Sequence, residues 1–290
     1  MNDVRYEAPK TLEAAVALLS GANGRGKVLA GGTDLLIQMR AGRVEPGLLV
    51  DIKGIPEMTS ILAENGAYRF GAAVTGMELV EHPGFAKAWP GVIDGVKLIG
   101  SIQVKGRATV GGNLCNASPA ADSVPAMIAA GAVASIAGPR GRRQIPVEDV
   151  ATGPGTTSLA PGEIVASFLL PRRPPRSGDA YLRFTPRTEM DIAVVGAGVN
   201  LTLDEKGICS RARVCLGAVA ERALLVPEAA AALLGTSLDE AALERMAAAV
   251  RAACRPIDDK RGTREFRIKV AGVMARRAVE LAAKRAREQN

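Results

Sequence analysis

The sequence predicts an α+β protein of two N-terminal lobes and a third, C-terminal unit, and three observations carry that prediction. Residues 1–55 hold one βαβ pattern, residues 56–171 mix short β-like and helical stretches between Gly and Pro turns, and residues 177–290 place strands first and helices after. The stiff, basic segment Pro171 to Pro175 separates the last unit from the rest. Two adjacent glycine pairs, Gly31-Gly32 and Gly111-Gly112, stand 80 positions apart, each after β-favouring residues and before an apolar run.

Taken in order, Thr11 to Ser20 has apolar residues at helical spacing behind a Thr cap, with Gly21 where the helix stops. Val28-Leu29-Ala30 reads as a strand, Thr33 or Asp34 as the cap of a helix through Met39, and Leu48 to Ile52 as the next strand. In the second lobe Tyr68 to Val74, Val133 to Ile136 and Glu163 to Leu170 read as strands. Beyond the connector, Ala180 to Thr185, Asp191 to Leu203 and Arg211 to Val219 should form a three-stranded antiparallel sheet. Helices at Val226 to Leu234, Leu238 to Cys254 and Gly262 to Arg287 should cover it, the alanine runs at 229–232 and 247–249 marking close helix packing.

Composition narrows the function. The chain has 290 residues, 48% of them hydrophobic and 23% charged, as in an ordinary globular protein. Every apolar run is broken short of the roughly 20 residues of a membrane span, and the first residues lack a basic and then apolar leader, so the expected location is the cytoplasm. Four scattered cysteines (115, 209, 215, 254) show no Cys-x-x-Cys spacing, and the lone His82 precedes a Pro-Gly turn, so metal chemistry is expected to reside in a partner. The formal charge of +7 includes clusters at Arg140 to Arg143 and Arg172 to Arg176. With one Trp, three Tyr and five Phe there is no aromatic platform for single strands, so these clusters read as solvated faces or a docking surface and no nucleic acid is expected.

The chemistry-bearing elements are the glycine turns. Glycine pairs let a backbone come close to a ligand, and a strand-to-helix junction directs backbone N–H groups and the helix dipole outwards, favouring an anion by ~0.3–2 kcal/mol. Each turn alone is equally a tight turn without ligand; together they could close on one anion. Gly21 to Val28 nearly matches the P-loop pattern, but Val28 stands where a Ser or Thr would hold magnesium and the glycines follow a helix instead of a strand. Gly-x-Gly-x-x-Gly follows no strand, which excludes a Rossmann dinucleotide domain.

Five stretches then form an ordered set: Ala30-Gly31-Gly32-Thr33-Asp34, Ile102 to Arg107, Thr109-Val110-Gly111-Gly112-Asn113, Ser118-Pro119-Ala120-Ala121-Asp122, and Pro186 to Ala193. In this order, over nearly the whole chain, the sequence resembles the FAD-binding medium subunit of the molybdenum hydroxylases, the family of carbon monoxide dehydrogenase and bacterial xanthine dehydrogenase. The resemblance implies a two-lobed FAD-binding domain followed by a C-terminal flavoprotein domain. It also implies that Leu29, Ala30, Gly31, Gly32, Thr33, Asp34 and Leu35, with Thr109, Gly111, Gly112 and Asn113, line the FAD pyrophosphate. Asn116, Ser118 and Asp122 match polar groups on the ribose and adenine side, Asp122 having the alternative of capping the helix near Val124. Ile164 or Val165 resembles the aliphatic residue packed on the isoalloxazine, and Arg183 a basic side chain near the flavin. Asp191 belongs either to the flavin's surroundings or to a pair with Arg187. Cys115 approaches the flavin or is a small packed residue. The chain lacks the cysteine-bearing insertion that holds an extra cluster in some relatives.

By the same resemblance the partners are a large molybdenum-cofactor subunit and a small [2Fe–2S] subunit, assembled as a dimer of heterotrimers (a heterohexamer). Electrons pass from the partner's clusters through FAD to an external acceptor, and no side-chain acid, base or nucleophile is required. A stand-alone flavin oxidoreductase and a flavin-free assembly or docking protein are the rival readings. Substrate choice is a property of the large subunit.

Overall fold

The computed structural model describes residues 4–188 and 190–288; Glu189, within the Pro186 to Ala193 motif, lies outside the described residues, as do the first three residues of the expected leaderless start.

The N-terminal lobe consists of β1 (Arg5–Glu7), α1 (Leu12–Gly21), β2 (Gly26–Leu29), α2 (Leu35–Arg40) and β3 (Leu48–Asp51). Its sheet is parallel in the order β1-β3-β2, so the predicted βαβ unit is joined by a strand that three residues of mixed polarity did not announce. Thr11 caps α1 through its hydroxyl, which accepts from the Ala14 N–H (3.2 Å), and Leu12, Ala15 and Leu19 bury one face. All carboxyl ends of the parallel strands point to one edge, the edge where β2 enters the first glycine turn.

The second lobe runs α3 (Pro56–Thr59), β4 (Ile61–Glu64), β5 (Ala67–Gly71), α4 (Gly76–Glu81), α5 (Pro83–Ala88), α6 (Pro90–Lys97), α7 (Ile102–Lys105), α8 (Val110–Cys115), α9 (Ser123–Ala129), β6 (Val133–Gly138), β7 (Gly141–Pro146), the small hairpin β8 (Ala151–Gly153) and β9 (Thr156–Thr157), and β10 (Ile164–Leu170). Five of its strands make an antiparallel sheet in the order β4-β5-β10-β6-β7, with a bulge in β10 between Val165 and Ser167. The apolar stretch from Val124 onwards divides into a buried helix and a strand at Gly131, whose φ of 70° breaks the helix. Phe70, Phe85 and Phe168 stack edge-on or tilted in the core that both lobes share.

The C-terminal unit comprises β11 (Ser177–Phe184), β12 (Val195–Leu203), β13 (Cys209–Gly217), β14 (Leu224–Leu225), α10 (Pro227–Ala231), α11 (Glu240–Ala253) and α12 (Arg264–Glu288). The three expected antiparallel strands are present and the two-residue β14 extends them, so the sheet has four strands. β12 begins at Val195 instead of Asp191, and residues 191–194 carry no strand. α12 crosses β11 and β12 so closely that a methyl group added to Gly178 would run into the Ala282 carbonyl. The other face of the sheet takes α6 and α9 of the second lobe.

Charges fasten this junction. Arg285 on α12 grips Asp94 on α6 (2.6 and 3.1 Å) and donates to the Asp179 carbonyl (2.8 Å). Arg173 pairs with Asp179 (2.9 Å), donates to the Ala88 carbonyl and lies 4.8 Å over the Trp89 ring. This corrects the reading of Arg173 as part of a basic docking face: its side chain is 10% exposed and is already committed inside the protein. Among the described residues no helix is long and apolar enough to cross a membrane.

Candidate functional site

The two glycine turns meet. Gly31 abuts the Arg107–Ala108 backbone so tightly that a Cβ on it would strike the Arg107 carbonyl. Gln38 on α2 donates through Nε2 to Asn116 Oδ1 at 2.9 Å, tying the helix after the first glycine turn to the C-terminal end of α8, the helix that contains the second glycine pair. Gly32 has φ +76°, a backbone state that turns the chain from β2 into α2. Among the described residues, the backbone N–H groups from Gly31 to Leu35 have no backbone acceptor. A run of unpaired N–H groups at a strand's carboxyl end suits an anion.

The four glycines do different work. A Cβ on Gly111 would collide with the Ala72 carbonyl, so this glycine allows α8 to pack on the chain just after β5. A side chain on Gly112 would meet only the Thr109 hydroxyl, at 3.0 Å, and otherwise open space. Of the second pair, Gly112 is therefore the one placed to let a ligand approach. Thr109 holds the turn, its hydroxyl accepting from the Gly112 N–H (2.9 Å) and its carbonyl from the Asn113 N–H (2.9 Å). Asn113 accepts from the Ser123 hydroxyl (2.7 Å), and Ser118 accepts from the Ala120 N–H (3.3 Å). Asp34 stands at the N-cap position of α2, one of the two expected for it, but its side chain makes no cap bond and the residue is exposed.

Asp122 and Arg183 are one group. The carboxylate accepts from Arg183 Nη1 at 2.6 Å and from the Tyr181 hydroxyl at 3.0 Å, while Arg183 also donates to the Leu98 carbonyl (3.1 Å). The side chains are 9% and 5% exposed. Asp122 makes no cap bond to α9, which removes the capping alternative. The pairing brings Asp122 and Arg183 to one place in the protein, where the resemblance assigns them to different parts of the FAD surroundings. Burial pushes the Asp122 carboxyl up to about 6, against the opposing pull of Arg183 and Tyr181.

Ile164 and Val165 are each 3% exposed, within the hydrophobic core. Asp191 is paired with Arg187 (3.6 Å) and Arg261 (3.2 Å), the second alternative considered for it. Cys115 is a packed residue, its thiol driven up to about 12 by burial.

Sequence reasoning missed the carboxyl edge of the parallel sheet beside the first turn. Asp51 at the end of β3 accepts from Lys53 Nζ (2.7 Å), the Lys53 N–H (3.0 Å) and the Tyr6 hydroxyl (2.6 Å). Lys53 also donates to the Ala30 carbonyl (3.1 Å). Burial alone would raise the Asp51 carboxyl; the Lys53 and Tyr6 bonds outweigh it and hold it below its ordinary value. The rule that ligands gather beyond the carboxyl ends of parallel strands would have singled out residues 51–53. Tyr181 carried no such signal, because nothing local marks a strand tyrosine as the partner of a distant carboxylate.

A lobe with a parallel sheet and N–H-rich glycine turn, a second lobe whose glycine pair packs close by, and a sheet-and-helix unit behind them form a site suited to an anionic ligand. The family described as the FAD binding domain in molybdopterin dehydrogenase matches residues 2–173, and the CO dehydrogenase flavoprotein C-terminal domain matches residues 180–282. The chain belongs to this family of oxidoreductase flavin subunits, and its cofactor is FAD. It is 35% identical over 282 residues to the carbon monoxide dehydrogenase medium chain of Afipia carboxidovorans, covering 97% of each chain. It is 32% identical over 276 residues to the xanthine dehydrogenase FAD-binding subunit of Escherichia coli O157:H7, covering 94% of each. Among solved structures, reconstituted CO dehydrogenase from Oligotropha carboxidovorans superposes with a TM-score of 0.94 at 34% identity over 98% of this chain and 99% of that one. Quinoline 2-oxidoreductase from Pseudomonas putida 86 gives 0.90 at 29% identity, covering 98% of each.

Proposed function

We propose that this chain is the electron-relay subunit of a molybdenum hydroxylase complex, taking electrons from a partner's [2Fe–2S] clusters and delivering them to an external acceptor. The observation that carries the reading is the direct packing of the two glycine turns, with unpaired N–H groups on the first and the open side of Gly112 on the second. Bound FAD supplies the chemistry, accepting single electrons and releasing pairs.

The chain's own residues bind and orient. The N–H groups from Gly31 to Leu35 suit the pyrophosphate, with Gly112 admitting it closely. Thr109, Asn113, Asn116 and Ser118 fix the second turn or add polar atoms beside it. The buried Arg183–Asp122 pair presents a guanidinium held by both a carboxylate and the Leu98 carbonyl, so a cation at that end keeps one orientation. Leu29, Ala30 and Asp34 contribute backbone and edge. No proton-transfer residue is needed, and a large molybdenum subunit and a small iron–sulfur subunit supply substrate chemistry and electrons.

The test is anaerobic absorbance in the flavin band. The purified single chain should carry about one FAD, remain oxidised when the complex's substrate is added, and bleach only after the two partner subunits are restored. Bleaching by substrate in the single chain would replace the relay with a self-sufficient flavoenzyme. A colourless chain that takes up no FAD would leave a docking role.

A further inference from the structure

We propose that Lys53, locked by Asp51 and Tyr6, is a positioning residue that fixes the orientation of the first glycine turn and so sets its affinity for the FAD pyrophosphate. The inference rests on the FAD reading above and adds a part of the site that lies on the far side of the turn from the ligand.

The argument is peptide geometry. In a trans peptide the C=O and the following N–H point in opposite directions. Lys53 Nζ holds the Ala30 carbonyl at 3.1 Å, so the Gly31 N–H of the same peptide is directed away from Lys53, towards the open side of the turn. Two successive glycines follow Ala30, the second at φ +76°, so little in the turn itself prevents the 30–31 peptide from rotating. Rotated, it would aim a carbonyl at the anion. The Gly31 position is fixed by the Arg107 carbonyl against it, but that contact fixes a place, and the Lys53 bond fixes a direction.

A lysine 31% exposed would ordinarily sample many rotamers; here the Asp51 carboxylate accepts from both its ammonium and its backbone N–H, and the carboxylate is itself held by the Tyr6 hydroxyl at 2.6 Å. The chain of bonds from β1 through β3 to the end of β2 spans all three parallel strands. Asp51 is 8% exposed, so water competes poorly for it.

The sign of one substitution separates this latch from simple attraction between Lys53 and a phosphate. Asp51→Asn removes a negative charge near the turn and would tighten FAD if charge alone mattered. The latch requires it to weaken FAD, because the lysine loses its anchor. FAD titration of the apoprotein, followed by flavin fluorescence, should show Lys53→Met and Asp51→Asn each weakened about tenfold, the scale of one charge-assisted hydrogen bond. Lys53→Arg should stay within about threefold of the parent and Tyr6→Phe should fall between. Should Asp51→Asn fail to fold by its thermal melt, Lys53→Met decides through salt: its loss factor stays constant between low and high salt if the lysine acts by orientation. Tighter or unchanged binding by folded Asp51→Asn, or a Lys53→Met loss that vanishes in salt, overturns the latch. Failure of the parent chain to bind FAD overturns the functional reading instead.

Discussion

Gly111 and Gly112 are neighbours in sequence with separate consequences. Gly112→Val should abolish FAD uptake while the apoprotein melts within a few degrees of the parent, because its side chain enters the space in front of the turn. Gly111→Val should instead destabilise the fold by about 1–3 kcal/mol or more through overpacking against the Ala72 carbonyl, seen as a lower melting temperature before any ligand is added. Equal melts for the two variants would refute the division. At Asp122 the sign follows from burial: a carboxyl raised to about 6 when folded, against about 3.9 unfolded, contributes stability below pH 4 that is lost as pH rises through 6. The melting temperature of the apoprotein relative to Asp122→Asn should therefore fall as pH goes from 4.5 to 7. The opposite trend would mean that the Arg183 pairing outweighs desolvation. Asp122→Ala, which strands Arg183 without a carboxylate, should cost about 3–5 kcal/mol.

At the scale of elements, the bond between Gln38 and Asn116 and the grip of Arg285 on Asp94 join parts that the sequence keeps 78 and 191 residues apart. Arg285→Ala should lower denaturant stability by about 1–3 kcal/mol by removing the guanidinium bonds to the Asp179 carbonyl and to Asp94, which keeps only the Tyr181 N–H (3.3 Å), with flavin affinity nearly unchanged. A large loss of FAD binding in that variant would show that the C-terminal unit bears on the cofactor site through α6. The elements themselves were legible in the sequence to within a few residues where caps and breakers are local. Thr11 and Gly131 fix ends by a side-chain bond and a positive φ, both readable from residue type. β1 and β14 were not legible: three-residue and two-residue strands exist only because a neighbouring strand offers them hydrogen bonds.

For the whole molecule, the proposed cofactor site lies where the lobes meet, so FAD affinity should measure their correct docking. FAD at about 100 times its dissociation constant should stabilise the native state by ~2.7 kcal/mol, and the melt of the apoprotein should rise on titration accordingly. Gly112→Val should show no rise. The order of motifs, the first strand-to-helix glycine turn and the absence of a P-loop or Rossmann pattern were determined by the sequence alone, because each depends on residues within a few positions of one another; the second glycine pair proved to lie inside α8, with no strand before it. That was enough for the family, the three-part architecture and FAD. Which glycine of the second pair has open space beside it, that Asp122 and Arg183 are one pair, that Ile164 and Val165 are core, and that Lys53 holds the Ala30 carbonyl were decided only by the tertiary structure. Those facts depend on atoms brought together across 23 to 61 residues of chain, where composition and spacing carry no information about direction.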